Sequence, residues 1–372
     1  MSRLDDLIKK YCPDGVEYKP LELCCTILDN KRKPVTKAAR IAGDYPYYGA
    51  NGVQDYVSDY IFDGTFVLVG EDGSVMTPNG NPVVNWASGK IWVNNHAHII
   101  KEKEGVLLRY LFHYLQVVNV SPLIHGNIPK LTGGDFRAIR IPVPPIEVQC
   151  EIVRILDNFT ELTAELTAEL TARKKQYEYY RDWMLSFDSS VQYKRIQDIC
   201  TISRGKVISK DDLRINAGDY PVYSSQTENN GEFGRINSFM YDGEYLTWTT
   251  DGANAGSVFY RNGKFSITNV CGLLKVDPSI ADIKYLFHAL KVEAPKYVNS
   301  GMGNPKLMSN VMGGIKIALP SMERQKRIAI ILDNFELICS DLRIGLPAEI
   351  EARRQQYEHY RDKLLTFKEK EA

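Results

Sequence analysis

Between residues 146 and 187 apolar side chains recur at Ile155, Phe159, Leu162, Leu166, Leu170, Tyr177, Tyr180 and Met184, in steps of three and four broken only by the polar Arg173. That spacing keeps one apolar stripe on one helical face and predicts a single helix across the whole stretch. The tetrapeptide TAEL occurs twice within it, at 163–166 and 167–170. Two consecutive steps of four form a stutter in a heptad-like seam, which loosens a supercoil locally without ending the helix. At about 1.5 Å per residue the helix would be roughly 60 Å long, far beyond the usual helix of globular proteins.

Elsewhere the texture is short and β-like. Residues 65–69 and 245–249 are rich in β-branched and aromatic types, each preceded by Asp-Gly and followed by another, Asp72-Gly73 and Asp251-Gly252. Ser88-Gly89 and Asn262-Gly263 are expected to open further strands at 90–93 and 264–268, as Gly-containing turn signals do. One modest helix follows in each half, over 106–116 and 283–291. A loop reading HGNIPKL or GMGNPKL and a last strand ending in ProValProPro or AlaLeuPro then lead into a long helix.

These parallels come from an internal duplication. CysThrIle at 25–27 returns at 200–202, GlyAspTyrPro at 43–46 returns at 218–221, and TyrLeuPheHis at 110–113 returns at 285–288, each 175 residues later. IleLeuAspAsnPhe at 155–159 returns at 331–335, and ArgLysLysGlnTyrGluTyrTyrArgAsp at 173–182 returns as ArgArgGlnGlnTyrGluHisTyrArgAsp at 353–362. The second helix carries Gly345 and Pro347, so it is expected to break near Gly345. Two matched helices are expected to pair, with the stretches around Leu162 and Leu342 touching. Each copy is then an α+β module with a mostly β core, and the spacing between anchors wanders where the modules differ. A shared scaffold with variable central loops suits two binding modules with different targets.

Composition narrows the function. At 372 residues the chain has room for two domains and the helices, and its 44% hydrophobic and 25% charged content is ordinary for a folded protein. No apolar run approaches a membrane span, and the opening MSRLDDLIKKYCPDG lacks a signal-peptide core, which predicts a cytoplasmic protein. Seven cysteines, with Cys24 and Cys25 adjacent, fit neither a disulfide framework nor a C-x-x-C site and are expected to be reduced and buried. A formal net charge of zero argues against nucleic acid only on average, because phosphate contacts need a local basic surface.

No catalytic signature survives. Gly256 to Lys264 has the wrong spacing for a phosphate loop, and Asp14 with Glu17 lie too near one another to embrace a metal from separate strands. His96 and His98 are expected to alternate on one strand and share a face, but without a partner ligand at metal spacing a structural role is expected. Basic loops fare better. After the CysThrIle strand come Lys31, Arg32, Lys33, Lys37 and Arg40 in one copy and Arg204, Lys206 and Lys210 in the other, suited to backbone phosphates. Later turns offer Asn51 and Gln54, and Ser224, Ser225, Gln226, Thr249 and Thr250; amides can read adenine edges. Lys130 and Lys306, in the twice-used ProLysLeu loop, complete the candidate set.

Two variable modules, each with a ValProPro or LeuPro exit, an IleLeuAspAsnPhe helix start and an ArgLysLysGlnTyrGluTyrTyrArgAsp-like helix end, resemble the specificity subunit of type I restriction-modification enzymes. The TAEL repeats look like one subfamily of these. The resemblance implies an α+β chain: target recognition domain 1 at 1–145, a central spacer helix at 146–187, target recognition domain 2 at 188–320, and a distal helix at 321–368 pairing antiparallel with the central one as a coiled coil. It implies double-stranded DNA read as two half-sites, two modification (methyltransferase) subunits docked on the helices, and restriction subunits with motor and nuclease activity. S-adenosylmethionine, ATP and Mg are then expected on those partners, with no cofactor, metal or catalysis on this chain. A coiled-coil scaffold whose modules bind protein or carbohydrate is the alternative.

Overall fold

The structure is a computed structural model and describes residues 3–73, 75–301, 303–340 and 344–371. It divides into one unit formed by Met1–Leu166 with Ile350–Ala372 and another formed by Thr167–Glu349. In the first, six strands make the main sheet: β1 (Thr26–Ile27), β2 (Ala42–Gly49), β3 (Gly52–Val57), β4 (Phe62–Gly70), β5 (Val84–Val93) and β6 (Ala97–Lys101), in the order β1-β6-β4-β5-β2-β3. All neighbours are antiparallel except β2 with β5. The second unit repeats this with β7 (Cys200–Arg204), β8 (Tyr220–Tyr223), β9 (Glu232–Ile236), β10 (Tyr241–Thr249), β11 (Val258–Ile267) and β12 (Cys271–Val276), ordered β7-β12-β10-β11-β8-β9.

The turn signals at Ser88-Gly89 and Asn262-Gly263 do not open new strands; both dipeptides lie inside continuous ones, β5 and β11. Gly64 faces Gly89 across the ladder, and Gly243 faces Gly263. All four have positive φ, between 81° and 143°. Paired glycines allow two strands to bend at the same level without breaking the ladder, and each sheet buries a small apolar cluster on one face. In the first unit that core holds Phe62, Phe66, Leu68, Ala87, Ile91, Val93 and Ile99. The opposite face packs Val67, Val69 and Ile100 against helix residues such as Tyr110, Leu111, Ile152 and Leu156.

The central helix runs Ile146–Met184, and the second copy is broken into Met322–Ser340 and Leu346–Leu364. The break falls where expected: Gly345 O accepts from Ala348 and Glu349 N–H as the next helix begins, and Pro347 sits in its first turn, where a missing N–H costs nothing. Inside the first unit, Phe159 stacks on Tyr360 with centroids 5.6 Å apart. Inside the second, Tyr180 stacks on Phe335 at 5.9 Å and Tyr177 lies 6.3 Å from it. Early central-helix residues thus meet late residues of the second copy and vice versa, an antiparallel pairing. Leu342 lies outside the described residues, so the expected contact around it is not described.

The same bonds dock each module on its helix. Gln149 Oε1 accepts from Leu107 N–H at 2.9 Å while its Nε2 donates to Pro144 O; Gln325 does the same with Asp282 N–H and Pro320 O. Tyr110 and Tyr285 hydroxyls donate to Pro142 O and Ala318 O. His113 Nε2 lies 2.8 Å from Asp157, and His288 Nε2 lies 2.8 Å from Asp333. The most faithfully repeated sequence blocks are these contact residues.

Each module is also closed by a segment entering beside its first residues. Tyr193 OH donates to Phe187 O in the second unit. In the first, Tyr18 OH donates to Phe367 O, Val16 N–H to Lys368 O and Lys370 N–H to Val16 O. All seven cysteines are free, but Cys150 is exposed, contrary to the expectation that all are buried. Among the described residues no helix is long and apolar enough to cross a membrane.

Candidate nucleic-acid interface

The candidate loops, scattered over about a hundred residues of sequence per module, meet at one end of each sheet. In the first unit Lys33 N–H donates to Val93 O, Asn94 N–H to Tyr48 O, Glu71 N–H to His96 O and Gly73 N–H to Pro129 O. In the second, Gly205 N–H donates to Cys271 O, Thr250 N–H to Val270 O, Thr268 N–H to Tyr223 O and Gly252 N–H to Pro305 O. The backbone of each loop is therefore satisfied by its neighbours, which frees side chains to face outward.

Of the candidates, Lys31, Lys33, Asn51, Gln54, Lys130, Lys206 and Lys306 are exposed, and Ser225 and Gln226 are half-buried. Gln54 Oε1 accepts from Asn94 Nδ2, and Gln226 Nε2 donates to Glu232 O. Four candidates turn inward instead. Arg32, 12% exposed, donates to Glu71 at 2.5 Å and to Ala97 O at 2.7 Å. Arg204 donates to Thr250 Oγ1 and Asn269 O. Thr249 and Thr250 are fully buried, with Thr249 bonded to Asn254 O and Ser257 N–H and Thr250 to Asp251 and Arg204. These four organise the loops rather than the surface.

Lys130 and Lys306 are presented alike. Each lies in an antiparallel bridge, Asp72 with Lys130 and Asp251 with Lys306. Their ammonium groups sit 3.3 Å from Glu71 and 3.8 Å from Asp251. The carboxylates hold the lysines in place while half of each remains in solvent.

The histidines do not share a face. His96 is in the turn before β6, exposed and bonded to Asp72, whereas His98 is buried and stacked on Phe136. Asp29, Glu71 and His98 bring ligand atoms within 4.8 Å of one another. A metal does not fit there, because Arg32 and Lys130 already occupy the Glu71 carboxylate. His98 Nδ1 faces Asp29 at 2.7 Å and its Nε2 faces Leu131 O at 3.0 Å. Burial alone would raise the Asp29 carboxyl, but His98, the Ile99 N–H and Arg32 together outweigh it and hold it below its ordinary value. The second module shows what His98 is for. Val69 faces His98, and Trp248 faces Gly272 at the equivalent place; Trp248 Nε1 donates to Leu307 O at 2.9 Å, as the imidazole does to Leu131 O. Either ring pins the ProLysLeu loop.

Sequence reasoning missed the acids that hold these loops, Glu71, Asp72 and Asp251, and the buried Asn94 that joins Gln54 to the turn at His96. Their only sequence signal was position directly beyond the central strands.

Two copies of one β-rich module, each gathering variable polar loops at a sheet end and each docked by identical bonds on a long paired helix, define a duplicated recognition protein. The model of the type I restriction modification DNA specificity domain matches residues 13–173 and 188–352, and the chain belongs to that family. It is 37% identical over 374 residues to a type I restriction enzyme specificity subunit of Haemophilus influenzae, covering 95% of this chain and 96% of that protein. It is 44% identical over 249 residues to a type I specificity subunit of Mycoplasma pneumoniae, covering 64% of this chain and 91% of that one. In fold it is similar to the crystal structure of the type I restriction-modification S subunit from M. genitalium, with a TM-score of 0.62 at 15% identity over 94% of this chain and 95% of that one. A chain from a structural study of assembly and conformational transition in the type I system aligns with a TM-score of 0.54 at 15% identity, over 95% of this chain and 98% of that one.

Proposed function

We propose that this chain is the sequence-reading, non-catalytic subunit of a type I restriction-modification complex. Each module reads one half of a bipartite site in double-stranded DNA through the loops at its sheet end. The paired helices set the gap between the halves and dock two modification subunits, which restriction subunits join. S-adenosylmethionine, ATP and Mg act on those partners, and the assembly works in the cytoplasm. What carries the reading is the contrast within the duplication: the docking hydrogen bonds recur at equivalent positions, while the loops carrying Asn51, Gln54, Ser225 and Gln226 differ. A scaffold needs the first and a reader of two different half-sites needs both.

The test is a DNA-binding titration of the chain coexpressed with its modification subunit across a salt series, followed by methylation-site mapping. Affinity should fall steeply with salt; no salt dependence would favour a protein- or carbohydrate-binding scaffold. Deleting residues 167–170 shortens a helix by about 6 Å and turns its end by about 40°, against roughly 3.4 Å and 34° per base pair. Both half-site sequences should survive with a shorter gap, and an unchanged gap would refute the spacer role.

A further inference from the structure

Beyond the exposed loops, the two modules share a buried feature. Gly52, the first residue of β3 after the turn from β2, has φ +104°, and Gly231, between β8 and β9, has φ +77°. They are counterparts, since Tyr48 faces Val53 as Tyr223 faces Glu232, each one residue past the glycine. Beneath each lies a polar side chain of the long central strand. A Cβ on Gly52 would come within 3.1 Å of Asn85 Oδ1, and Asn85 Nδ2 is buried with no partner among the described residues. A Cβ on Gly231 would come within 3.0 Å of Arg261 Nη2; Arg261 is 3% exposed and its Nη1 is buried with no partner among the described residues. The rest of that guanidinium is held firmly, with Nε donating to Thr247 Oγ1 at 3.1 Å and the carbon 3.5 Å from the Tyr223 ring centre.

Packing does not call for either residue. The ladders set Val84 opposite Val69 and Val258 opposite Trp248, so Phe259 stands where Asn85 does, and Ala87 where Arg261 does. The same fold therefore closes with an apolar residue at each position, while a buried donor without an acceptor works against folding. The cover over Arg261 is a hairpin turn of small, left-handed residues: Asn229 and Asn230, at φ 47° and 53°, precede Gly231, a conformation that asparagine and glycine adopt more readily than other residues. Unfilled donors, a glycine-thin cover and different side chains in the two modules converge on one role.

We propose that the position beneath this glycine is a base-reading site of each module, where Arg261 donates to the O6 and N7 acceptors of a guanine and Asn85 pairs with an adenine edge. The donor sets match those bases in the major groove, and the covering turn moves aside as the base edge enters. This assignment rests on the modules binding duplex DNA. It makes Arg261 and Asn85 determinants of half-site specificity, each for its own half only.

The experiment maps DNA methylation made by the full complex carrying the wild-type chain, Arg261→Met or Asn85→Leu, and measures thermal melting of each complex. Both substitutions keep the outline of the side chain and remove the donors, and an apolar group at Arg261 also removes the desolvation cost of a buried charge. Arg261→Met should melt at or above the wild-type temperature and lose preference at one guanine position of the second module's half-site by roughly ten- to a hundredfold, with the other half-site intact. Asn85→Leu should do the converse at an adenine position. A motif unchanged at every position in both variants would overturn the proposal. So would loss of a whole half-site together with a lowered melting temperature, which would make the residues structural. A methylome indifferent to the presence of the wild-type chain would instead refute the DNA reading itself.

Discussion

The facing pairs Val69–His98 and Trp248–Gly272 show how side-chain size can be exchanged across a ladder while one hydrogen bond is kept. No single-residue signal in the sequence showed this. The two halves of the pair sit at different repeat offsets, and a histidine beside a glycine counterpart reads as a lost function rather than as an indole relocated to the next strand. The same difficulty hid Arg32, whose place in a basic run suggested solvent although its guanidinium closes on Glu71 and Asp29. The structure separates two kinds of cation, and mutagenesis should as well. Arg32→Ala leaves two largely buried carboxylates short of a partner and should destabilise the first unit by roughly 3 kcal/mol or more, read as a drop in its denaturation midpoint. Lys130→Ala removes a half-exposed ammonium, so it should leave that midpoint nearly unchanged and lower the slope of log affinity against log salt by about one.

At the level of elements, the central helix was fully legible, because one stripe of apolar residues over 39 positions has no other regular solution. The strands were legible in place but not in extent. Glycine following serine, asparagine or aspartate ordinarily ends a strand, and only the cross-strand pairing of Gly64 with Gly89 and Gly243 with Gly263 shows that the ladder continues through it. The repeated TyrLeuPheHis helices predict a pH dependence. Burial lowers the pKa of His113 and His288 below the ordinary imidazole value, against the opposing pull of Asp157 and of Asp333 with Glu336. Among the described residues neither buried Nδ1 has a hydrogen-bond partner, although Glu336 lies 3.9 Å from that of His288, so a proton gained there costs more than one gained in water, most of all at His113. The unfolded chain therefore takes up protons first as pH falls. The contribution is fully present above about pH 6.5 and is lost as pH drops from there through the depressed folded value. Melting temperature should decline over that range, and His113→Asn with His288→Asn should flatten the decline; an unchanged slope would remove the histidines as its cause.

For the whole molecule, the duplication was the most legible property, since its anchors are the docking residues themselves. Less visible was the way the chain is apportioned: the first unit draws on Met1–Leu166 and also on Ile350–Ala372. A chain ending at residue 345 lacks the helix that carries Tyr357 and Tyr360 and the segment that bonds Val16 and Tyr18. Calorimetry should then show the first unit's transition lowered or lost and the second unit's retained; two intact transitions would mean that the closing segment contributes nothing.

That closing segment also sets an order of events during synthesis. Tyr193 finds its carbonyl partner at Phe187, six residues away, whereas Tyr18 must await Phe367. At about 5–20 residues per second, the ribosome needs roughly 10–40 s to pass from the end of the first unit's leading portion to its closing segment. The half that emerges first is therefore sealed last, and in the interval it depends on whatever shields nascent chains in the cell.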